Sequence, residues 1–145
     1  MGAISTWLTS MRTRLAAAPA SLKNLPAAGD IKDLPASKLH KGFRLITRGG
    51  ERLGAEHGGG TLIEKFVTAE LEIHWDPELD KEGLSNTISD DMANANAVML
   101  KDSYKTSGIV LVKPEIPLAV NDDDPNDVFA IGTYEVRFRE AIDLT

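Results

Sequence analysis

Apolar and polar positions alternate along the chain with two different periods, which together predict two helices and four strands. The first helix is predicted near the N-terminus, where apolar side chains recur every three or four residues and so share one face. Ser5 or Thr6 is expected to cap its start, and Pro19 to end it. We expect the apolar face to pack on a sheet, and docking on a neighbouring copy is the alternative. The face consists of Ile4, Trp7, Leu8, Met11 and Leu15.

A second helix is predicted to begin near Ser85 or Thr87 and to stop at Gly108. Asp90 and Asp91 are expected in its first turn, where a carboxylate favours the positive end of the helix dipole. The buried stripe of this helix is predicted to consist of Ile88, Met92, Ala95 and Met99, with Lys101 and Lys105 near the end.

The clearest strand pattern covers residues 61–75. From Val67 to Trp75 the odd positions are apolar and the even positions are polar or charged, with Ala69, Leu71 and Ile73 between. A period of two indicates one buried face and one face that meets water or a partner. Residues 41–48 are expected to pair with this strand as an antiparallel hairpin.

Two further strands are predicted at residues 109–120 and 128–142. Pro114 and Pro117 cannot donate ladder hydrogen bonds, so the first of these strands should lie on an edge or carry a bulge. In the second, the apolar positions change from odd to even around Gly132, which is typical of a β-bulge.

Three segments are predicted to connect these elements. The proline-rich residues 19–40 should form an extended connector, which lies against the domain or reaches to a partner. The glycine-rich residues 49–60 should form a loop that is mobile in the free protein. Residues 121–127 are expected to form an acidic turn.

The order of elements is therefore helix, two strands, helix, two strands. This order predicts a single α+β domain over residues 1–145, with one antiparallel sheet of about four strands and both helices against one of its faces.

The amino-acid composition of the chain argues against several classes of protein. The formal net charge is −6, which gives no global sign of the basic face that binds duplex DNA. Cysteine is absent, which excludes disulfides, thiolate metal sites and cysteine nucleophiles. No apolar run is long enough to cross a bilayer, and no secretory signal is recognisable, so we expect the chain to stay in the cytoplasm in which it is made.

The residues that carry catalytic or metal chemistry show no convergent pattern. His40, His57 and His74 lack metal-ligand spacing, and His74 is predicted to lie on a solvated strand face. The aspartates of the acidic turn lack the calcium-loop pattern, and the glycine-rich segment leads into a strand, unlike a phosphate-binding loop. We therefore predict no catalytic residue, no metal and no cofactor, and that the chain is not an enzyme.

Charged residues on strands and in the glycine-rich segment are the candidates for a partner interface. Arg137 and Arg139 share one face of the last strand, and Glu70, Glu72 and Glu135 are expected to oppose such a face across strands or across a subunit boundary. Such pairs set partner choice and register. The full set of candidates is Arg48, Arg52, Glu56, His57, Glu70, Glu72, Arg137 and Arg139.

The order of elements resembles that of the tail terminator proteins of long-tailed bacteriophages. The likeness covers nearly the whole chain and includes the opening helix around Trp7 and Met11, the hairpin FRLITR to VTAELEIHW, the helix ISDDMANANAVML and the closing strands that end in YEVRFREAIDL. It implies a structural protein of the virion tail or neck, assembled in the host cytoplasm. The expected partners are further copies in a homohexameric ring, the major tail tube protein and the head–tail connector or stopper protein.

Three other readings stay open at this point. Related neck or head-completion proteins share this style of fold. A small ligand-binding or adaptor domain without catalytic activity has a similar topology. An enzyme with an unrecognised site is the third. The resemblance implies no membrane and no sequence-specific nucleic acid, although DNA passes through the lumen of such a ring.

Overall fold

The computed structural model describes residues 2–25, 36–53, 62–79, 82–124 and 127–141. They form an α+β fold, as predicted. The elements are α1 (Ala3–Ala16), β1 (Lys23–Asn24), α2 (Ala36–Leu39), β2 (Gly42–Leu53), β3 (Leu62–Trp75), α3 (Leu84–Lys101), a 3₁₀ helix (Asp102–Lys105), β4 (Ile109–Asp124) and β5 (Asp127–Ala141).

The sheet has five strands in the order β1-β2-β3-β5-β4, and it is mixed. The four predicted strands pair antiparallel, but β1 adds a short parallel strand beside β2. The N–H of Lys23 donates to the carbonyl of Lys41 at 2.8 Å, and the N–H of Leu25 donates to that of Phe43 at 2.8 Å. The four predicted strands therefore form the expected antiparallel sheet, and part of the proline-rich connector adds a fifth, parallel strand that the sequence did not predict.

The core lies between the two long helices and one face of the sheet. The odd positions of β3 from Val67 to Trp75 and the even positions of β5 point into it, as the alternation in residues 61–75 predicted. Ile4, Leu8, Ile88 and Met92 are half-buried against it. The helical side chains that are fully or almost fully buried are Trp7, Met11, Leu15, Ala95, Val98 and Met99.

Both helices begin earlier than predicted. Gly2 precedes α1, so Ser5 and Thr6 lie inside the helix and do not cap it. Leu84, which packs against the core, is the first residue of α3, so Asp90 and Asp91 fall beyond the first turn. Instead of facing the dipole, Asp91 is buried and accepts a hydrogen bond from the indole N–H of Trp75 at 2.9 Å.

The predicted irregularity of the C-terminal strands lies in β4. This strand is at the sheet edge, as Pro114 and Pro117 indicated, and its pairing with β5 shifts register at several points. By contrast, β5 pairs with β3 without interruption, so the bulge predicted at Gly132 is absent. Phe129 and Ile131 belong to the face opposite the helices. This explains why the apolar positions of β5 appeared to change from odd to even around Gly132.

Gly132 leaves room for the bulged strand β4 beside it. A Cβ atom at this position would lie 2.8 Å from the Cα of Leu118 and 3.1 Å from the carbonyl oxygen of Ile116. The backbone of β4 therefore approaches β5 so closely at this point that only glycine fits.

The strands also extend into the predicted loops. Gly49 and Gly50 belong to β2 and have φ values of +75° and +70°, which glycine adopts without strain, and the β2–β3 register shifts between Arg48 and Arg52. At the other hairpin, Asp124 pairs with Asp127, so most of the predicted acidic turn is strand. The rest of the glycine-rich segment, residues 54–60, lies outside the described residues.

Candidate partner interface

The face of the sheet that points away from α1 and α3 carries most of the candidate residues. The even positions of β3 and the odd positions of β5 alternate with core positions, and so they form a surface shared by neighbouring strands. The two long helices lie on the opposite face, and α2 approaches this surface at Gly42, where the Leu39 carbonyl oxygen lies 2.8 Å from the position that a Cβ atom would take. We call this surface the charged face, and its charged members on the central strands are Glu64, Glu70, Glu72, Glu135, Arg137 and Arg139.

Glu70 and Glu72 pair with β2. Arg44 lies directly opposite Glu72 in the ladder, with 3.6 Å between Nη2 and Oε2. Arg48 Nε donates to Glu70 Oε2 at 2.7 Å. The side chain of Glu72 is 17% exposed and that of Glu70 is 11% exposed, so both carboxylates are largely covered. The Arg48 side chain is 56% exposed, so its guanidinium group stays accessible.

Glu64, which was not among the candidate residues, lies within ion-pair distance of both Arg137 and Arg139. The Arg137 and Arg139 guanidinium groups each lie 3.6 Å from a Glu64 oxygen. Arg137 Nε also donates to Glu135 at 2.9 Å, and its guanidinium lies 5.2 Å from the centre of the Phe66 ring. The signal for Glu64 was its even position in β3, since the ladder places Glu64 directly opposite Arg139.

His74 is buried on the charged face, so the prediction of a solvated position was wrong. Its ring centre lies 5.7 Å from that of Phe129, the opposite residue in β5, which shields it from water. Its Nε2 lies 3.1 Å from Glu72 Oε2. The interaction with His74 holds the pKa of Glu72 below its ordinary value against the opposing effect of burial, and Arg44 acts in the same direction.

Three of the candidate residues have no described side chain. Arg52 lies in β2 opposite Phe66, but its side chain is outside the description. Glu56 and His57 lie wholly outside the described residues. The structure therefore brings together Arg48, Glu70 and Glu72 at one side of the charged face and Arg137 with Arg139 at the other.

The remaining buried polar groups serve the core. Ser103 accepts a hydrogen bond from the indole N–H of Trp7 at 2.9 Å and donates to the carbonyl of Met99. Asp91 accepts from Trp75 and also lies 3.1 Å from Lys41 Nζ. His40 Nδ1 accepts the backbone N–H of Asp76 at 2.9 Å, and burial lowers its pKa. These contacts anchor helices and strand ends.

A cleft of about 310 Å³ separates α3 from β4. Asn96 is its main polar residue and accepts a hydrogen bond from the Tyr134 hydroxyl at 2.8 Å. Burial raises the pKa of Tyr134 to about 12, so this hydroxyl stays protonated and able to donate. The lining residues are Met92, Ala93, Asn96, Pro114, Pro117 and Leu118.

Neither a metal-binding cluster nor a membrane-spanning helix is found among the described residues. No three His, Asp or Glu side chains come together there as a metal-binding group. None of the described helices has both the length and the apolar character that spanning a membrane requires.

Compared with known proteins, the chain matches no protein-family model, and no curated protein is significantly similar to it. The function of the chain is therefore inferred from its fold and its charged face.

Proposed function

We propose that this chain is a structural subunit of a bacteriophage virion, which forms a ring that terminates the tail tube and joins it to the head connector. The observation that carries the proposal is the charged face. A sheet with helices on one face normally has its other face in water, and here that other face holds partly covered ion pairs on three adjacent strands.

Ordered charges of this kind suit a surface that must meet a partner in a fixed register. Isolated ion pairs at a surface contribute only about 0–1 kcal/mol to stability. Across an interface they steer association and exclude wrong partners. The accessible Arg48 and Arg139, with side chains 56% and 52% exposed, are the donors that a partner would meet first.

The order of elements supports the virion role in particular. The helix, hairpin, helix and closing strand pair resemble the tail terminator proteins, and the partners expected from that likeness are the tail tube protein and the connector.

The test is joining of purified chain to tail tubes, observed by electron microscopy, with Arg139→Glu as the variant. This change places a carboxylate beside Glu64 at the rim of the charged face, so we expect a folded protein with weaker joining. Lys105→Glu is the matched control, because Lys105 is 59% exposed on the 3₁₀ helix, away from the charged face. Equal joining by both variants would argue against the charged face as the partner surface.

A small ligand-binding domain is the second candidate, and the cleft between α3 and β4 is the observation that favours it. An apolar wall with a few polar groups is typical of ligand sites. Native mass spectrometry of the purified chain tests this candidate directly. A bound metabolite that is lost in Asn96→Leu would support it.

A further inference from the structure

The proline-rich segment 19–40 is described at its two ends, and both ends meet the sheet where β2 begins. At one end, β1 pairs in parallel with Gly42 and Phe43. At the other end, α2 contacts both β2 and β3. The contacts at this second end decide whether the segment lies against the domain or reaches to a partner.

The side chain of His40 extends the β2–β3 ladder beyond its last backbone pair. The ladder pairs Gly42 with His74, so the same register places position 40 opposite Asp76. The backbone leaves the strand at Lys41, whose φ of +57° lies in the left-handed region. The Nδ1 atom of His40 then takes the place of a backbone acceptor, and the N–H of Asp76 donates to it at 2.9 Å.

This hydrogen bond requires a neutral imidazole ring. A backbone N–H only donates, and Nδ1 accepts only when it carries no proton. Protonation of Nδ1 would set one N–H against another, so the contact would change from attraction to repulsion. The ordinary pKa of histidine lies near 6.5, so mild acid is sufficient to protonate the ring.

Four charged residues from four neighbouring segments act on His40. Burial is the largest influence and lowers the pKa of His40, while Asp76, which follows β3, raises it. Lys23 on β1 and Lys41 at the start of β2 lower it further, and Asp91 on α3 opposes them. Because the pKa is lower in the closed contact than in an open one, the contact is complete above the ordinary value and is lost as the pH falls through the lowered value.

Among the described residues, few other contacts hold α2. The helix has four residues, which is too short for a helix that is stable by itself. The N–H of Lys41 donates to the carbonyl oxygen of His74 at 2.8 Å. Lys23 Nζ lies 3.4 Å from the carbonyl oxygen of Lys38 in an exposed position, which is a weak hydrogen bond. A segment with so few contacts opens at a lower cost than the core.

We propose that His40 is a proton-operated latch, which fastens α2 to the end of β3 at neutral pH and releases it in mild acid while the core stays folded. At neutral pH both ends of the proline-rich segment are held against the sheet. In mild acid the end at residues 36–40 is released and becomes accessible to a partner. The latch goes beyond the proposed ring and does not depend on it.

The test is amide hydrogen exchange of the full chain, followed by NMR spectroscopy at about pH 7.5 and about pH 5 on either side of the histidine range. Each rate is divided by the intrinsic exchange rate at that pH. We expect the amides of Asp76 and Lys41 to open about fivefold more often in acid, which is the effect of losing one hydrogen bond. The amide of Leu71 in the centre of β3 should not change.

Two variants separate the protonation of His40 from the loss of its acceptor. His40→Asn places a side-chain oxygen near the position of Nδ1 but does not titrate in this range, so protection of the Asp76 amide should be equal at both pH values. His40→Ala has no acceptor, so the same amide should exchange rapidly at both. Circular dichroism verifies the fold of each variant.

The latch would be overturned by a wild-type Asp76 amide whose protection does not depend on pH, or by His40→Asn with the same acceleration in acid as the wild type. Equal acceleration at Asp76 and Leu71 would also overturn it, because acid would then weaken the whole fold. If the variants do not fold, NMR titration of the wild type decides. The His40 ring and the Asp76 amide should titrate with one midpoint below 6.5, and separate midpoints would contradict the latch.

Discussion

Neighbouring residues of β3 experience two different environments. Leu71 faces the helices and is fully buried among apolar side chains, whereas Glu72 faces the other way and is held by Arg44 and His74. The helix-covered face supplies stability, because apolar area removed from water contributes about 25 cal/mol per Å². The charged face contributes far less to stability, and in the proposed function its ion pairs supply specificity for a partner. Substitutions on the two faces should therefore change the free energy of unfolding by different amounts and for different physical reasons.

The largest effect is expected for Leu71→Ala on the helix-covered face. The truncation removes buried methyl groups and leaves a cavity beneath α1 and α3, so the free energy of unfolding should fall by about 3 kcal/mol. Urea unfolding followed by circular dichroism measures it. A loss below about 1 kcal/mol would mean that this face is loosely packed and would remove the contrast with Glu72.

For Gly132→Ala we expect a smaller loss in the free energy of unfolding, about 1–3 kcal/mol. The new methyl group would meet backbone atoms of Leu118, which cannot move aside by a change of rotamer. Since the displaced strand is β4, amide hydrogen exchange should accelerate in β4 more than in β3. If the variant keeps wild-type stability and exchange, the backbone of β4 can move away from position 132 at no cost, and the close approach does not constrain the edge strand.

The smallest change in the free energy of unfolding is expected for Glu72→Gln on the charged face, and it should depend on pH. The pKa of Glu72 is lowered in the folded chain, so ionised Glu72 stabilises the fold above the ordinary carboxyl range near 4.5, and that contribution is lost as the pH falls through the folded-state value. Glu72→Gln should therefore cost about 1 kcal/mol at pH 7 and almost nothing once the wild-type carboxyl is protonated.

Unfolding curves of the wild type and Glu72→Gln between pH 7 and acid conditions measure this difference. Parallel curves at all pH values would show that His74 and Arg44 do not stabilise the carboxylate.

Periodicity was sufficient to predict most of the fold. The alternation from Val67 to Trp75 placed the central strand and its two faces correctly, and the spacing of Trp7, Met11 and Leu15 placed the first helix. These signals are strong because buried faces leave a regular apolar pattern over many residues.

Edge features were harder to predict because they depend on contacts distant in sequence. The strand Lys23–Asn24 is too short to have a period and forms because Lys41 and Phe43 present free carbonyls to it. Gly132 suggested a bulge in its own strand, whereas it makes room for the bulge of its neighbour. The partners of Arg137 required the β3–β5 register, which no local pattern contains.

The partner interface stays a prediction, but five of its candidate residues share one face of the sheet. Strand alternation placed Arg137 and Arg139 on one face, and Arg48, Glu70 and Glu72 lie on the same charged face. Glu64 was missed, and the burial of His74 depends on Phe129, a residue more than fifty positions away in sequence.

The most direct test of the structural role is electron microscopy of the purified chain, alone and mixed with tail tubes. The proposed function predicts closed rings with a central hole, seated at one end of the tubes. Monomers that leave the tube ends bare, with a small molecule bound between α3 and β4, would contradict it.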